Sequence, residues 1–402
     1  MIGFVVILSL LAITGLVVMA IDLVPQAAAW IQRIHIGRWR ERREWTAAVS
    51  AVVETWLRRT PVIPIGDHER LIVLDMLRGR HRSATIQSWQ EAALLLGAGE
   101  ALRRDPGQAK MQQAVAGWLE RHFEGNGQWK SPPQQVDGAL LGYALMRLPG
   151  IDIGHYRPAL DHLRTLLVSM TGNDGTIPYR KVQPDFRYVD TLGFVCPFLA
   201  AYGRRFKDEP CLALAIRQIE SYSGMAMLPE WFIPAHAFDL AQKVPLGIHG
   251  WGRGIAWYAL GLMGTLKELP PGDPRRERLR DQASALGQAL LRLQGTKGGW
   301  SAMAFLGPQS PLDSSATTVL GLFLLRMYRE FNNPEFLEAA RRSAGYLMTV
   351  TRRSGIVDFS QGDTKGIGHY SIRYQQMPFT QGFALQLALE ILALDEPLAG
   401  AG

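Results

Sequence analysis

From residue 44 onward, apolar side chains return every three or four positions along the chain. Stretches 44–59, 84–104 and 110–123 each carry a wide apolar face backed by charged residues, the pattern of helices packed on one side. About a dozen such stretches follow one another to the C-terminus and few runs alternate with period two, so the predicted class is all-α. The front of the chain differs. Met1 to Ile21 carries no charged side chain, which meets the roughly 20 apolar residues a bilayer core requires and predicts one N-terminal transmembrane helix. The alternative is a cleaved signal peptide, because "QAAAW" (26–30) offers small residues. Against it, no Lys or Arg precedes the apolar run, which is long for such a segment.

The helical stretches repeat as a larger unit. A Gly-containing loop with a bulky residue leads to a polar residue and then to a strongly apolar helix rich in Gly and Ala. This reads "GNGQWKSPPQQVDGALLGYALMRL" (125–148), and recurs at 172–202, 249–262, 295–325 and 354–392. Asp137, Asp190, Arg253 and Asp313 fall at equivalent places, 53, 63 and 60 residues apart. One more amphipathic helix lies between consecutive apolar ones, so each unit is an inner plus an outer helix. Six such pairs closed in a ring form an (α/α)6 barrel; an open solenoid is the alternative. In the barrel every inner helix starts at one end, and the long loops gather around one mouth. The expected organisation is a membrane anchor over 1–22, a basic linker over 23–43 and the barrel over 44–396.

Composition adjusts this picture only at the edges. The 402 residues, 47% hydrophobic, suffice for a large core, and the net charge of +7 is concentrated in Arg33, Arg38, Arg40, Arg42 and Arg43. That cluster follows the apolar segment directly, so the positive-inside rule predicts a single-pass protein of the inner membrane with its barrel in the cytoplasm, or an exported one if a signal is cleaved. The mixed charges elsewhere argue against a nucleic-acid face. Cys196 and Cys211 lie in apolar helical patterns and read as reduced, buried thiols. No H-E-x-x-H, C-x-x-C or P-loop spacing occurs, and no metal or cofactor is expected.

Each repeated residue has a structural and a chemical reading. Asp at a helix start is a favoured N-cap, worth about 1 kcal/mol, and Asp313, followed by two serines, is read that way. Trp300, in a glycine-rich loop, reads as a core plug. Arg253, in a first helical turn, sits on the wrong side of the helix dipole and needs an anionic ligand or a loop carboxylate. Asp190 has Tyr188 and Phe194 within four positions. A carboxyl enclosed by aromatic rings beside a second carboxylate has its pKa raised, as a proton donor near neutral pH requires.

"HGWGRGIAWYALGL" (249–262), "RYVDTLGFVCPFLAAY" (187–202), "PAHAFD" (234–239) and "LDSSATTVLGLFLLRMY" (312–328) resemble the unsaturated glucuronyl and rhamnogalacturonyl hydrolases, glycoside hydrolase families 88 and 105 of the six-hairpin glycosidases. The likeness runs from Gln135 to Ile391, and its specific motifs are the W-x-R-G-x-x-W turn and the V-D-x-L helix. It implies an (α/α)6 barrel that hydrates the 4,5 double bond of an unsaturated uronic acid at the end of an oligosaccharide. It further implies Asp190 as proton donor, Asp137 as a second pocket aspartate, and His236, Trp251, Arg253, Trp257 and Tyr188 as sugar-contacting residues. Two features depart from the family. The segment between His236 and Trp251 is short, and members usually lack an anchor. The anchor suggests a second reading, a membrane-held barrel that binds or trims a nascent glycan in polysaccharide biosynthesis. One copy of Q-x-x-x-G-x-W, "QGTKGGW" (294–300), also fits triterpene cyclases, but their D-x-D-D and D-D-x-x-D motifs do not occur.

Overall fold

A computed structural model describes residues 2–61, 63–65, 72–78, 82–84 and 87–395. Its helices are α1 (Ile2–Arg33), α2 (Arg42–Arg58), α3 (Ile72–Leu77), α4 (Ser88–Arg104), α5 (Ala109–His122), α6 (Gly138–Met146) and α7 (Arg157–Ser169). They continue as α8 (Val189–Phe206), α9 (Glu209–Ala226), α10 (Gly252–Leu266), α11 (Pro274–Leu293), α12 (Ser314–Phe331), α13 (Pro334–Thr349) and α14 (Pro378–Asp395). The helices α4, α6, α8, α10, α12 and α14 pack each on the next, and α14 returns to α4. The ring is closed. The alternating helices α5, α7, α9, α11 and α13 flank it, and α2 packs against both α14 and α4. The expected (α/α)6 barrel is the architecture, and the open solenoid is not.

Hydrophobic pattern decides which helix goes where. Every residue of α10 is buried, as an all-round apolar helix must be, whereas α7 buries only Ala159, Leu160, Leu163 and Leu167, one helical stripe. The seam between α4 and α14 needs glycine for close backbone approach. A Cβ added to Gly382 would stand 2.0 Å from the Ala93 carbonyl oxygen, and one on Gly97 would stand 2.6 Å from the Gly382 carbonyl oxygen.

Turn chemistry separates the two ends of the barrel. At one end α8 stops at Lys207 and α12 at Asn332, both left-handed, and α9 and α13 begin one residue later behind the caps Asp208 and Asn333. The other end collects the long loops that precede each inner helix, and the strands lie there. β1 (Ile63–Ile65) pairs with β2 (Arg82–Ala84). β3 (Phe186–Tyr188), β4 (Met227–Leu228) and β6 (Val244–His249) all pair with β5 (Ile233–Asp239), and β7 (Ser360–Gln361) pairs with β8 (Tyr374–Gln375). The helical pattern gave no hint of these strands because β5 is buried at every position and shows no alternation.

The N-terminal helix is continuous through Arg33, so residues 23–33 of the segment expected as a linker are helical. None of its residues is buried. Its end is fastened to the barrel: Arg33 pairs with the buried Asp358 at 2.8 Å, Gly37 donates its N–H to the Thr351 carbonyl, and Trp39 Nε1 donates to the Arg352 carbonyl. Cys196 and Cys211 are free and buried. Because the ring closes through backbone contact at Gly382, Gly382→Ala is expected to cost about 1–3 kcal/mol through overpacking. Chemical denaturation measures the loss, with the outward-facing Gly224→Ala as the control that lacks it.

Candidate active site

The mouth holds a cavity of about 830 Å³. Asp190, in the first turn of α8, and Trp257 and Arg253 of α10 reach it from the inner ring; Tyr188 and His236 come from β3 and β5. The remaining wall is supplied by Trp89 at the start of α4, by Tyr179 and Arg180 in the loop before α8, and by the 359–377 loop through Asp363 and Lys365. Thus five of the seven expected residues meet in one hollow.

Asp190 is almost wholly buried, and its Oδ2 has no hydrogen-bond partner. Tyr188 is the residue at the N-cap position of α8, so Asp190 makes no cap. Burial pushes its carboxyl up to about 7; the Arg253 charge opposes the rise and the Asp363 carboxylate adds to it. His236 Nε2 lies 3.8 Å from Asp190 Oδ2, but burial and the nearby Arg253 hold the imidazole down to about 4. The approach is of a neutral ring to a carboxyl, and no ion pair forms at neutral pH. The other ring nitrogen, Nδ1, faces the Tyr370 hydroxyl at 3.2 Å.

Arg253 is fully buried, and its partners differ from those expected. Nη2 donates to the Gly362 carbonyl at 2.7 Å and Nη1 to the Gln361 carbonyl, and no carboxylate pairs with it among the described residues. These two carbonyls, with Ser315 Oγ 3.5 Å from Nη1, hold the outer nitrogens of the guanidinium, and the side chain also lines the cavity. The same loop is held from the other side, where the Asp313 carboxylate accepts from Ser315 N, Ser315 Oγ and Gln361 N. Asp313 is the N-cap of α12, as expected. These bonds set the loop register that delivers Asp363, and Gln87 Nε2 donates to Asp363 Oδ2 at 2.9 Å.

Two expected residues lie off the cavity wall. Trp251 sits behind His236, ring to ring at 4.6 Å, with Nε1 donating to Gln361 Oε1, so its indole backs the site and offers no face to a ligand. Asp137 occupies the N-cap position of α6 without capping it. Burial raises its carboxyl, the Arg180 charge and a hydrogen bond from the Ser88 N–H beside Trp89 oppose the rise, and its charge acts on Tyr179. The second carboxylate acting on Asp190 is Asp363, which the helical pattern missed because it lies in mid-loop between β7 and β8. Trp89 was missed as well: its apolar helix gave no sign that one tryptophan, edge-on to Trp257 at 5.5 Å, opens onto a hollow. Trp300 is the core plug foreseen, its Nε1 donating to the Leu290 carbonyl.

A ring of helical hairpins with a proton-bearing carboxyl and flat aromatic walls at one mouth is the architecture of the six-hairpin glycosidases. The profile of Glycosyl Hydrolase Family 88 matches residues 72–394, and the chain belongs to that family of glycoside hydrolases. Solved structures agree on the fold. A possible member of the GH105 family from Klebsiella pneumoniae superposes with a TM-score of 0.75 at 18% identity, over 89% of this chain and 95% of its own. A possible GH105 member from Salmonella enterica serovar Paratyphi A gives 0.73 at 18% identity, over 89% and 96%. An unsaturated glucuronyl hydrolase from a Bacillus species, described as responsible for the degradation of glycosaminoglycan, gives 0.64 at 16%, over 90% and 98%. No curated protein matches the sequence.

Because its folded pKa is raised, Asp190 binds a proton more tightly in the folded than in the unfolded chain, and its contribution to stability falls as pH rises from about 4 to about 7. Asp190→Asn removes that dependence, so its denaturation midpoint relative to the native chain is expected to be higher at pH 8 than at pH 5. Removing the neighbouring negative charge by Asp363→Asn is expected to lower the Asp190 pKa, read as a carboxyl carbon titration by NMR.

Proposed function

We propose that the chain cleaves oligosaccharides ending in a 4,5-unsaturated uronic acid by hydrating the double bond. The observation that carries the reading is Asp190 itself, a buried carboxyl whose Oδ2 has no hydrogen-bond partner and whose pKa burial pushes up to about 7, at the wall of an aromatic cavity. Its proton passes to C4 of the sugar, and the positive charge left at C5 is shared with the ring oxygen. A water then adds to C5 and gives its proton to the Asp190 carboxylate, which restores the acid. The C5 hemiketal opens to a ketone and the glycosidic bond at C1 separates. Water in place of a sugar hydroxyl is the second reactant, so no cofactor enters the step.

Trp257 and Trp89 supply flat faces for ring stacking, and Arg180 and Lys365 supply positive charge for the uronate carboxylate. His236 and Tyr188 bound the acid from the β-sheet side. Asp137, the second aspartate by family likeness, lies beside the cavity and takes a hydrogen bond from the Ser88 N–H next to Trp89, and Arg253 and Trp251 hold the 359–377 loop. Asp190→Asn is expected to lower kcat by about 10²- to 10⁴-fold with the helical circular dichroism intact. The assay is loss of ultraviolet absorbance of an unsaturated disaccharide. The native rate is expected to fall as pH rises through about 7, where Asp190 loses its proton. Activity retained by Asp190→Asn would remove it from the mechanism.

We further propose that α1 remains as a membrane anchor, with the arginine-rich segment after it holding the barrel in the cytoplasm. The exposed apolar surface of residues 2–20 supports this, as does the bond from the Ile72 N–H to Asp22, a contact that cleavage near residues 26–30 would remove. Expressed in a Gram-negative host, the chain is expected to stay full length in carbonate-washed membranes; a shortened, extractable chain would mean a cleaved signal. The anchor also favours a second reading, in which the barrel works on a glycan under assembly at the membrane. Inactivity toward a broad panel of unsaturated uronyl oligosaccharides would favour that reading.

A further inference from the structure

The large apolar side chains that the barrel exposes are confined to one end of it. Beyond Arg33 and the short segment that follows α1, those among the described residues include Val182, Val244, Ile248, Phe305, Leu306 and Ile372, all in the segments that lead into inner helices, Val244 and Ile248 on β6. Val168 lies in the last turn of α7, where that helix enters the same end, and Leu74, Met76 and Leu77 lie on or beside α3 between α2 and α4. The opposite end, with its capped two-residue turns, exposes no comparable residue among those described. An unbiased scatter of surface apolar residues needs no explanation, but segregation to one pole does.

Exposed lysines interleave with these residues. Lys181 precedes Val182, Lys243 precedes Val244, and Lys297 lies in the loop that carries Phe305 and Leu306. Apolar tips between cationic side chains suit the headgroup region of an anionic bilayer, which attracts basic residues near its surface. The placement of α1 points the same way. Its C-terminal end is fixed to the 351–358 stretch, which belongs to the mouth loops, and Asp22, where its apolar run ends, accepts from the backbone of α3. A bilayer that contains residues 2–21 therefore lies on the mouth side of the barrel, and the short apolar α3 stands at the level where α1 leaves it.

We infer that the mouth of the barrel is seated on the bilayer surface, so that the cavity takes its saccharide from the membrane interface and not from the open side of the cytoplasm. The inference rests on the reading of α1 as a membrane anchor. It commits the rim to one occupant, a lipid surface carrying anionic headgroups. The saccharide class that follows is one presented at that surface.

Single cysteines carrying an environment-sensitive fluorophore test it on the full chain, reconstituted in vesicles of phosphatidylethanolamine and phosphatidylglycerol with and without brominated acyl chains. The native Cys196 and Cys211 are buried and do not compete for label. Labels at Phe305→Cys, Val182→Cys and Ile372→Cys report the rim, Lys110→Cys and Glu335→Cys report the far end, and Leu10→Cys reports α1. The expected result is quenching at Leu10 and at all three rim positions and none at the far end. Quenching at Leu10 with an unquenched rim overturns the inference and leaves the anchor standing. An unquenched Leu10 overturns the anchor reading, and the inference with it. Quenching of the far end with a dry rim reverses the orientation and equally overturns it.

Discussion

Everything at the mouth depends on the inner ring closing with its six helices running in the same sense. The seam between α4 and α14 is the place where that closure is decided, because the first and last inner helices meet there through glycine backbone and no side chain can be interposed. Once the ring is shut, parallel inner helices put six helix starts at one pole. The capped short turns take the other pole, and all the long connections have only one place to go. A carboxyl at residue 190, an imidazole at 236 and a loop carboxylate at 363 become neighbours by topology and not by local sequence.

Within the mouth, the electrostatics are set by one buried cation. Arg253 is held by the Gln361 and Gly362 carbonyls, which carry no net charge to cancel its own. It therefore opposes the rise of the Asp190 pKa and helps keep His236 neutral. Were a carboxylate paired with it, both effects would weaken. The raised pKa of Asp190 is a balance between desolvation and Asp363 on one side and Arg253 on the other.

The sequence foretold those parts of the molecule that are written in helix periodicity. The barrel, the inner and outer alternation, and the convergence of Asp190, Arg253 and Trp257 were legible because each inner helix repeats the same loop, turn and apolar run. Asp313 as a cap was legible from local chemistry alone. Asp363 and Trp89 were not. The first lies in a loop whose register is set by bonds from Asp313 and Arg253, residues 50 and more positions away, and the second is one of many aromatic residues on an apolar face. Trp251 misled for the converse reason. A tryptophan beside a glycine turn resembles a sugar platform, but a helix start next to β5 leaves its ring packed on His236, with the cavity on the other side.

One short stretch carries the dependence between distant parts of the chain. Asp358 holds the end of α1 through Arg33 and is itself gripped by Arg352; Gln361 and Gly362 hold Arg253; and Asp363 acts on Asp190. Six consecutive residues thus link the N-terminal helix to the charge environment of the acid. Asp358 is fully buried, and its two arginines hold its carboxyl below the usual range, so the pairing persists across the neutral range. The backbone on either side of it is pinned as well, by Ser314 N to the Phe359 carbonyl and by Gln361 N to Asp313. A slip of one residue in this stretch would place Gly362 or Thr364 where Asp363 stands and remove the like charge that lifts Asp190. The fastening of α1 to the barrel and the protonation of its pocket are therefore secured by the same few hydrogen bonds.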